Sequence, residues 1–329
     1  GDGDLDLIQP AGFLVCTAIP GGAPCGALRW LEQTSAGWTS HDIVPAGSQL
    51  FYHHVELADL DGDTVLDLVT VGEQKGGMFG GTDRAVPQWF NEGLSEYLTT
   101  TAARFETSAR EIGAGLGSFP RVLDLDGDGD LDVASAEFFG PARSSFAWFE
   151  RIAAPSSAAP AGTWARHVID DSSGPAIMLT PARDLFGDGK LRAVGSNHTN
   201  TKKPPPDPQE SAIFVFTPGA DPKQPWSKQK ISSGIESVPG SAFAPQAAPG
   251  IFGLGDIDGD SDLDLGVSGG DPHVYWLEQT SPGSFVTHVL ADMMAQAGGT
   301  LVVDLDGNGR DEIVITAYEG NAVYVFERE

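Results

Sequence analysis

Short acidic loops recur along this chain, and the spacing of their carboxylates suits a hard cation. The clearest copy, at 124–132, reads Asp-Leu-Asp-Gly-Asp-Gly-Asp-Leu-Asp, with carboxylates at loop positions 1, 3, 5 and 9 and glycine at position 4. Oxygen-only ligand sets of this kind bind Ca²⁺. An EF-hand is excluded, because its glycine lies at position 6 and its glutamate at position 12, between two helices. We therefore predict Ca²⁺ as the cofactor.

The copies of this loop differ in how many ligands they keep. The copies at 59–67 and 256–264 keep all four carboxylates, and the copy at 304–312 carries Asn308 and Glu312, which predicts a weaker site. At 184–192, Lys190 and Arg192 are predicted to replace the metal as built-in cations. The chain also opens inside a loop. The predicted ligands are Asp59, Asp61, Asp63, Asp67, Asp124, Asp126, Asp128, Asp132, Asp256, Asp258, Asp260, Asp264, Asp304, Asp306, Asn308, Glu312, Asp2 and Asp6.

The loops are separated by roughly 50–70 residues, a period typical of propellers, solenoids and arrays. Each lies between a short apolar run and a β-branched run, and an aromatic strand and a fourth strand follow. Four short strands per repeat predict a propeller blade. We predict an all-β fold, a β-propeller of four-stranded blades in one domain at 1–329, with Ca²⁺ loops between inner and second strands. Six blades are visible, and a start inside a loop predicts a truncated or incomplete beginning, which leaves a seventh blade open.

The loops at 59–67, 124–132 and 256–264 resemble those of the FG-GAP/VCBS repeat family of calcium-binding β-propellers. They match its Asp-x-Asp-Gly-Asp-x-x-x-Asp motif residue for residue, and the resemblance covers nearly the whole chain. It implies that the Ca²⁺ loops join the innermost strand to the second strand at one end of the propeller. It implies no single function, because such propellers serve adhesion, sugar binding and catalysis.

Composition narrows the setting. The formal net charge of −27 argues against partners such as nucleic acid or an anionic membrane surface. No apolar stretch is long enough to span a bilayer. Cys16 and Cys25 are predicted to form a local disulfide, and Asn197-His198-Thr199 is a glycosylation sequon. Together with several Ca²⁺ loops, these features favour a secreted, extracellular protein.

The seven histidines fall into two groups. His41, His167 and His288 share one repeat position, three residues after an aromatic residue, and are predicted to be structural. The other four, His53, His54, His198 and His273, break the repeat and map to the end of the blades opposite the loops. Imidazole titrates near neutral pH and is a common general base. These four histidines are therefore candidate catalytic residues, against the simpler interpretation that they are solvated loop residues.

Two further candidates lie at the same end. Arg121 interrupts an apolar inner strand, where a charge requires a partner, and Glu56 occupies the corresponding position in the preceding blade. Tyr318 maps to the same rim. The alternative for Arg121 and Glu56 is a structural ion pair.

Two classes of function compete. The resemblance is greatest to propeller lyases and dehydratases such as rhamnose–glucuronate lyases and aldos-2-ulose dehydratases, which implies β-elimination on an acidic polysaccharide or oligosaccharide. His53 or His54 would be the base, with Arg121 or Ca²⁺ stabilising the intermediate. His198, His273 and Tyr318 would position the sugar. The alternative is a carbohydrate-binding lectin or an integrin-like adhesion module. A multivalent lectin repeats its binding residues in every blade, whereas these candidates do not repeat, which favours one pocket and an enzyme.

Overall fold

The computed structural model describes residues 5–12, 23–74, 76, 83–91, 105–138, 144–239, 247–294, 296–317 and 320–328. Within them all regular elements are β-strands. In chain order the strands are β1 (Leu7–Ala11), β2 (Gly26–Thr34), β3 (Gly37–Ser48), β4 (Val55–Ala58), β5 (Asp67–Gln74), β6 (Arg84–Phe90), β7 (Arg110–Glu111), β8 (Arg121–Leu123), β9 (Asp132–Ala136), β10 (Phe146–Ala153), β11 (Thr163–Asp170), β12 (Ala176–Arg183), β13 (Leu191–Asn197), β14 (Ile213–Thr217), β15 (Ser227–Lys230), β16 (Phe252–Gly255), β17 (Asp264–Ser268), β18 (Val274–Ser281), β19 (Ser284–Ala291), β20 (Ala297–Val303), β21 (Glu312–Ala317) and β22 (Ala322–Phe326).

These strands form six sheets that follow one another along the chain. Four sheets have four strands, β4 to β7, β8 to β11, β12 to β15 and β16 to β19. The first sheet, β1-β2-β3, and the last, β20-β21-β22, have three strands each among the described residues. This series confirms the predicted all-β propeller fold. Among the described residues the first sheet has no inner strand and the last has no outer strand, which agrees with a sequence that starts inside a loop and has five predicted fourth strands.

Each acidic loop joins the first two strands of a four-stranded sheet or of the last sheet, as predicted. The loop at 59–67, for example, connects β4 to β5, which pair antiparallel with Ala58 opposite Asp67. The second strands β5, β9 and β17 are buried along almost their whole length. A strand covered on both faces reads as a continuous run rather than an alternating one. The buried second strand therefore anchors the last ligand position of each loop.

The in-register histidines form a repeated packing unit between third and fourth strands. His41 stacks on Trp30 at a centroid distance of 4.5 Å, and its Nε2 lies 2.9 Å from Glu32. His288 stacks on Trp276 at 4.7 Å, and its Nε2 lies 2.7 Å from Glu278. The third copy joins Trp148, His167 and Glu150. The structural role predicted for these three histidines is confirmed, because the same contacts recur at the same place in three blades.

The residues group into two compact units. The first contains Gly1–Arg143 and Ala147–His167, and the second contains Ser144–Phe146 and Val168–Glu329. In the first unit, one core cluster surrounds Trp89 and Leu116 and another surrounds Leu28 and Phe90. In the second unit, a cluster surrounds Val274 and Ile313. Cys25 is disulfide-bonded, and Cys16 is the only other cysteine of the sequence.

Candidate metal loops and active site

The first aspartate of each intact loop organises the backbone around it. In the loop at 124–132, Gly127 N and Gly129 N donate to the two carboxylate oxygens of Asp124, at 2.7 and 3.2 Å. The same two bonds recur at Asp59, Asp256 and Asp304. The backbone at loop position 4 needs a left-handed conformation, with φ of +84° at Gly127, which glycine adopts without a steric cost. Hydrogen bonds within the loop and the left-handed glycine therefore fix its backbone around Asp124.

Four loops bring three carboxylates within reach of one ion. In each group the ligand atoms lie within 4.8 Å of one another, and an all-carboxylate set fits Ca²⁺. The groups are Asp59, Asp61 and Asp67; Asp124, Asp126 and Asp132; Asp256, Asp258 and Asp260; and Asp304, Asp306 and Glu312. The predicted ligands Asp63, Asp128 and Asp264 lie outside these groups of acidic residues. Asp63, Asp128 and Asn308 each accept a backbone N–H two residues later, as Asp260 does within its group.

Burial and neighbouring carboxylates raise the pKa of several aspartates in two of these loops. Burial, followed by the neighbouring Asp126 and Asp130, raises the pKa of Asp132 to about 7 despite two backbone hydrogen bonds. Burial likewise raises the pKa of Asp264 to about 7 and that of Asp262 to about 6. A buried carboxylate among like charges resists ionisation unless a cation compensates it. The donor sets therefore fit a divalent cation on electrostatic as well as geometric grounds.

Asp6 takes the place of the last ligand in the loop that opens the chain. Gln33 N donates to Asp6 Oδ1 at 2.9 Å, as Arg151 N donates to Asp132 Oδ1 at 3.0 Å and Gln279 N donates to the corresponding Asp264 atom. The same bond at the same place in three sheets supports the alignment of Asp6 with the last loop position. Asp2 lies outside the described residues.

The loop at 184–192 supplies its own cation. Arg192 occupies the last ligand position and donates to both oxygens of Asp188, at 2.6 and 2.8 Å. Its guanidinium lies 4.1 Å from the centroid of the Phe186 ring. The Arg192 hydrogen bonds hold the pKa of Asp188 well below its ordinary value. Lys190 is 3.5 Å from Asp188 with a side chain that is 70% exposed, so Arg192 is the principal internal cation.

His53 and His54, directly before β4, lie in a small cluster of polar side chains in the first unit. His53 Nδ1 is 2.9 Å from Glu73 Oε2, and the Glu73 side chain is completely buried. Ser118 donates to the same carboxylate oxygen at 2.9 Å. Phe51 packs edge-on against His53, and Phe119 stacks on it. A buried carboxylate and two aromatic rings thus fix the orientation of the imidazole.

His54 is linked to Arg121 and Glu56. Arg121 Nη1 lies 2.8 Å from His54 Nε2 and forms an ion pair with Glu56, as the shared inner-strand position predicted. Burial alone would raise the pKa of Glu56, but the hydrogen bonds from His54 and Arg121 outweigh it and lower the pKa. Glu56 is therefore ionised, and the charge of Arg121 is compensated within the cluster.

A cavity of about 290 Å³ opens beside this cluster. It is lined by Asp6, Ile8, Pro10, His53, His54, Val55 and Leu57. Both histidines and β1 of the first sheet thus line the same cavity. Its volume suits a single sugar residue. The structure therefore brings together three of the six candidates, His53, His54 and Arg121.

His198 and His273 belong to the second unit, where they flank one turn. His273 Nδ1 lies 2.8 Å from Asp271, whose side chain is completely buried, and His273 stacks on Tyr275. His198 Nδ1 donates to Pro249 O at 2.8 Å, and burial lowers the pKa of this histidine. A Cβ added at Gly270 would meet His198 Cε1 at 3.2 Å. Tyr318 lies outside the described residues.

The contacts of two buried carboxylates with the histidines were not predicted from the sequence. Glu73 and Asp271, which hold His53 and His273, lie at or after the end of second strands. A charged residue at or shortly after the end of a buried second strand was the available signal. Glu137, in the equivalent region of the third sheet, is likewise buried and pairs with Arg166.

The sequon does not provide a glycosylation site in the folded chain. Asn197 is fully buried, and its Nδ2 donates to the carbonyl oxygens of Ser173 and Glu210 at 3.0 and 2.7 Å. Its Oδ1 accepts Ala212 N at 2.8 Å. The motif therefore does not support a secreted location.

Comparison with known proteins agrees with the fold and adds no activity. Residues 245–315, which contain the loops at 256–264 and 304–312, match the FG-GAP-like repeat family model. The chain thus carries an FG-GAP-like repeat within a β-propeller fold. A search of curated proteins finds no match to this sequence. Within the described part of the chain, no helix has the length and apolar character required to cross a membrane.

Proposed function

We propose that this protein is a secreted, Ca²⁺-stabilised β-propeller that acts on carbohydrate by β-elimination at the His53–His54–Arg121 cluster. The observation that carries the proposal is the pair formed by His53 and the fully buried Glu73. A histidine oriented by a buried carboxylate beside a cavity is the arrangement expected of a general base.

The Glu73 contact defines which nitrogen of His53 would accept a proton. Nδ1–H donates to Glu73 Oε2, so the neutral ring carries its lone pair on Nε2. In the proposed reaction Nε2 takes the proton α to a sugar carbonyl, and the C–H electron pair forms an enolate. The enolate then expels the β-oxygen as the carbon–carbon double bond forms, and the departing oxygen takes up a proton.

Arg121 and His54 would stabilise the developing oxyanion. Arg121 Nη1 lies 2.8 Å from His54 Nε2, and the role of this imidazole is to position the guanidinium. Preorganised donors of this kind stabilise negative charge in a transition state. Glu56 already compensates Arg121, and Asp6 and Glu73 add negative charge near the cavity. Of the substrates considered, an uncharged sugar with a ketone is therefore favoured over a free uronate.

Two features support an extracellular location. Loops with several carboxylates and weak-to-moderate Ca²⁺ affinity suit the calcium-rich exterior of a cell, and the disulfide at Cys25 suits an oxidising compartment. Recovery of the native protein from the medium rather than from the cells would test this part of the proposal.

The activity is tested by incubating the Ca²⁺-loaded protein with ketose-type and uronate-containing saccharides and following the ultraviolet absorbance of the unsaturated product. His53→Ala and Glu73→Gln should abolish turnover with little change in melting temperature. His41→Ala is the matched control, and it should lower the melting temperature more than the specific activity. Binding on a glycan array without turnover of any saccharide would establish the lectin alternative and overturn the elimination proposal.

A further inference from the structure

One position of the acidic loop breaks the repeat. Position 8 carries an aspartate, Asp311, in the loop at 304–312. The other copies carry leucine there, namely Leu66, Leu131, Leu191 and Leu263. Asp311 does not belong to the group of acidic residues that could hold an ion in its own loop. Its role therefore lies outside that ion site.

Asp311 contacts the first ligand residue of the preceding loop. Its Oδ2 accepts the N–H of Asp256 at 2.8 Å, and its own N–H donates to Asp256 O, also at 2.8 Å. A side chain at Gly255 would collide with the Asp311 carboxylate, so the glycine permits this close approach. Two reciprocal hydrogen bonds thus join position 1 of one loop to position 8 of the next.

A second contact lies beside the first. The aliphatic part of the Arg310 side chain covers Gly259, where an added Cβ would meet Arg310 Cγ at 2.9 Å. Gly259 N donates to Asp256 Oδ1 at 2.7 Å and so belongs to the turn around this ligand. Both loops lie in the second compact unit. Two adjacent residues of one loop therefore pack on the ligand turn of the other.

These contacts connect the ligands of the two loops. Glu312, the last ligand position of its loop, directly follows Asp311, and its carboxylate accepts Leu305 N at 2.7 Å. A cation held by Glu312 would restrict Asp311 as well, and Asp311 holds the backbone of Asp256. An ion in one loop would thus reduce the cost of ordering the other loop, and such coupling is reciprocal.

We propose that Asp311 joins the loops at 256–264 and 304–312 into a cooperative pair of Ca²⁺ sites, in which an ion in either loop raises the affinity of the other. The inference rests on the Ca²⁺ binding of the proposed function and is independent of the carbohydrate reaction. Repulsion between the two ions opposes the coupling. At physiological salt the Debye length is about 8 Å, so this repulsion is screened, and the hydrogen-bonded contact determines the sign.

The test follows the occupancy of each loop separately. Gly259 N and Gly307 N donate to the first aspartate of their loops, and their amide signals are recorded by NMR of the whole chain in Ca²⁺-buffered solutions at physiological salt. Asp260→Ala removes a carboxylate from one ligand group, and Asp306→Ala removes one from the other. Either change should weaken Ca²⁺ binding in the neighbouring loop by about two- to tenfold, the equivalent of one net hydrogen bond. The factor should be the same in both directions.

Asp311→Ala should abolish this dependence, because alanine has no acceptor for the N–H of Asp256. Asp311→Asn is the matched control: it removes the charge but keeps an acceptor oxygen, so the dependence should remain. Neither change should alter Ca²⁺ binding at 59–67, which the amide signal of Gly62 reports.

The failure of this inference can be distinguished from the failure of the calcium assignment. Two ions that bind independently or weaken each other in the native chain would overturn the coupling and leave the calcium assignment standing. So would a dependence that persists in Asp311→Ala. The absence of any bound ion at both loops would overturn the two together.

Discussion

The loops at 124–132 and 184–192 occupy the same place in neighbouring blades and balance their charge in opposite ways. The first presents Asp124, Asp126 and Asp132 around one point. The second places Arg192 where the first has Asp132, and Arg192 binds Asp188 through two hydrogen bonds. The first loop therefore offers its carboxylates to a cation, whereas the second compensates its own carboxylate with a guanidinium on the chain.

The replacement changes the backbone only locally. Asp184 still accepts the N–H of Gly189 at 2.6 Å, as Asp124 accepts that of Gly129 at 3.2 Å. Asp184 itself adopts a φ of +64°, a conformation uncommon for a residue with a side chain. The first aspartate and the glycines thus set the turn in both loops, and the last position carries a carboxylate in one loop and a guanidinium in the other.

Removal of Ca²⁺ by a chelator should produce the largest difference in behaviour between these two loops. A ligand that binds only the folded state stabilises it by about 2.7 kcal/mol per site when its free concentration is 100 times Kd. Removing Ca²⁺ should therefore lower the melting temperature markedly, and hydrogen exchange should increase at 124–132 but not at 184–192. Elemental analysis together with calorimetry in excess chelator measures both. An unchanged melting temperature and no bound metal would refute the calcium assignment.

The pH dependence should reverse between the metal-free and Ca²⁺-loaded forms. The folded pKa of Asp132 and Asp264 is about 7, above the ordinary value of 3.8. A carboxyl group whose pKa is raised on folding favours the folded state below its unfolded pKa, and this contribution is lost as pH rises through the folded value. Without metal, stability should fall between about pH 4 and 7.

With saturating Ca²⁺ the bound state requires ionised ligands, so stability should rise over the same range. Thermal melts at several pH values, with and without Ca²⁺, measure both slopes. Parallel curves for the two forms would show that these carboxylates are not linked to the ion.

The difference between these loops was readable from the sequence, whereas the histidine partners were not. Arg192 lies in the loop itself, so its contact with Asp188 is local. The pairing of Arg121 with Glu56 followed from equivalent positions in successive blades. Glu73 is 20 residues from His53, and no repeat predicts this contact, because neither residue recurs in the other blades. Repetition in the sequence identifies structural residues, whereas a contact that occurs in only one blade can be recognised only from the structure.

Arg192→Ala should have an intermediate effect. It leaves Asp184 and Asp188 without their internal cation and removes the packing on Phe186. We expect a melting temperature lower by about 2–6 °C, measured by circular dichroism. Arg151→Ala, in the third blade, is the matched control. This arginine contacts Asp130, which is not one of the predicted ligands.

The effect of Arg192→Ala should not depend on Ca²⁺. The triple change Phe186→Asp, Lys190→Gly and Arg192→Asp should instead create a further Ca²⁺ site, seen as one more bound ion by titration calorimetry. If the triple variant binds no additional ion, the backbone around Asp184 cannot adopt the ligating geometry.

Thr64→Gly should have the smallest effect, and it should be stabilising. Thr64 and Gly129 occupy loop position 6 in two intact copies, with φ of +75° and +96°. A left-handed conformation costs a residue with a side chain roughly 1–2 kcal/mol, and glycine removes this cost. Part of the resulting stabilisation is lost, because glycine makes the unfolded state more flexible. We expect a net gain of up to about 1 kcal/mol by chemical denaturation. Gly129→Thr is the reciprocal control and should destabilise by a similar amount, since the side chain at this position faces solvent and adds no packing. If both substitutions were neutral, the loop would relax its backbone freely at position 6, and Ca²⁺ rather than the sequence would set its geometry.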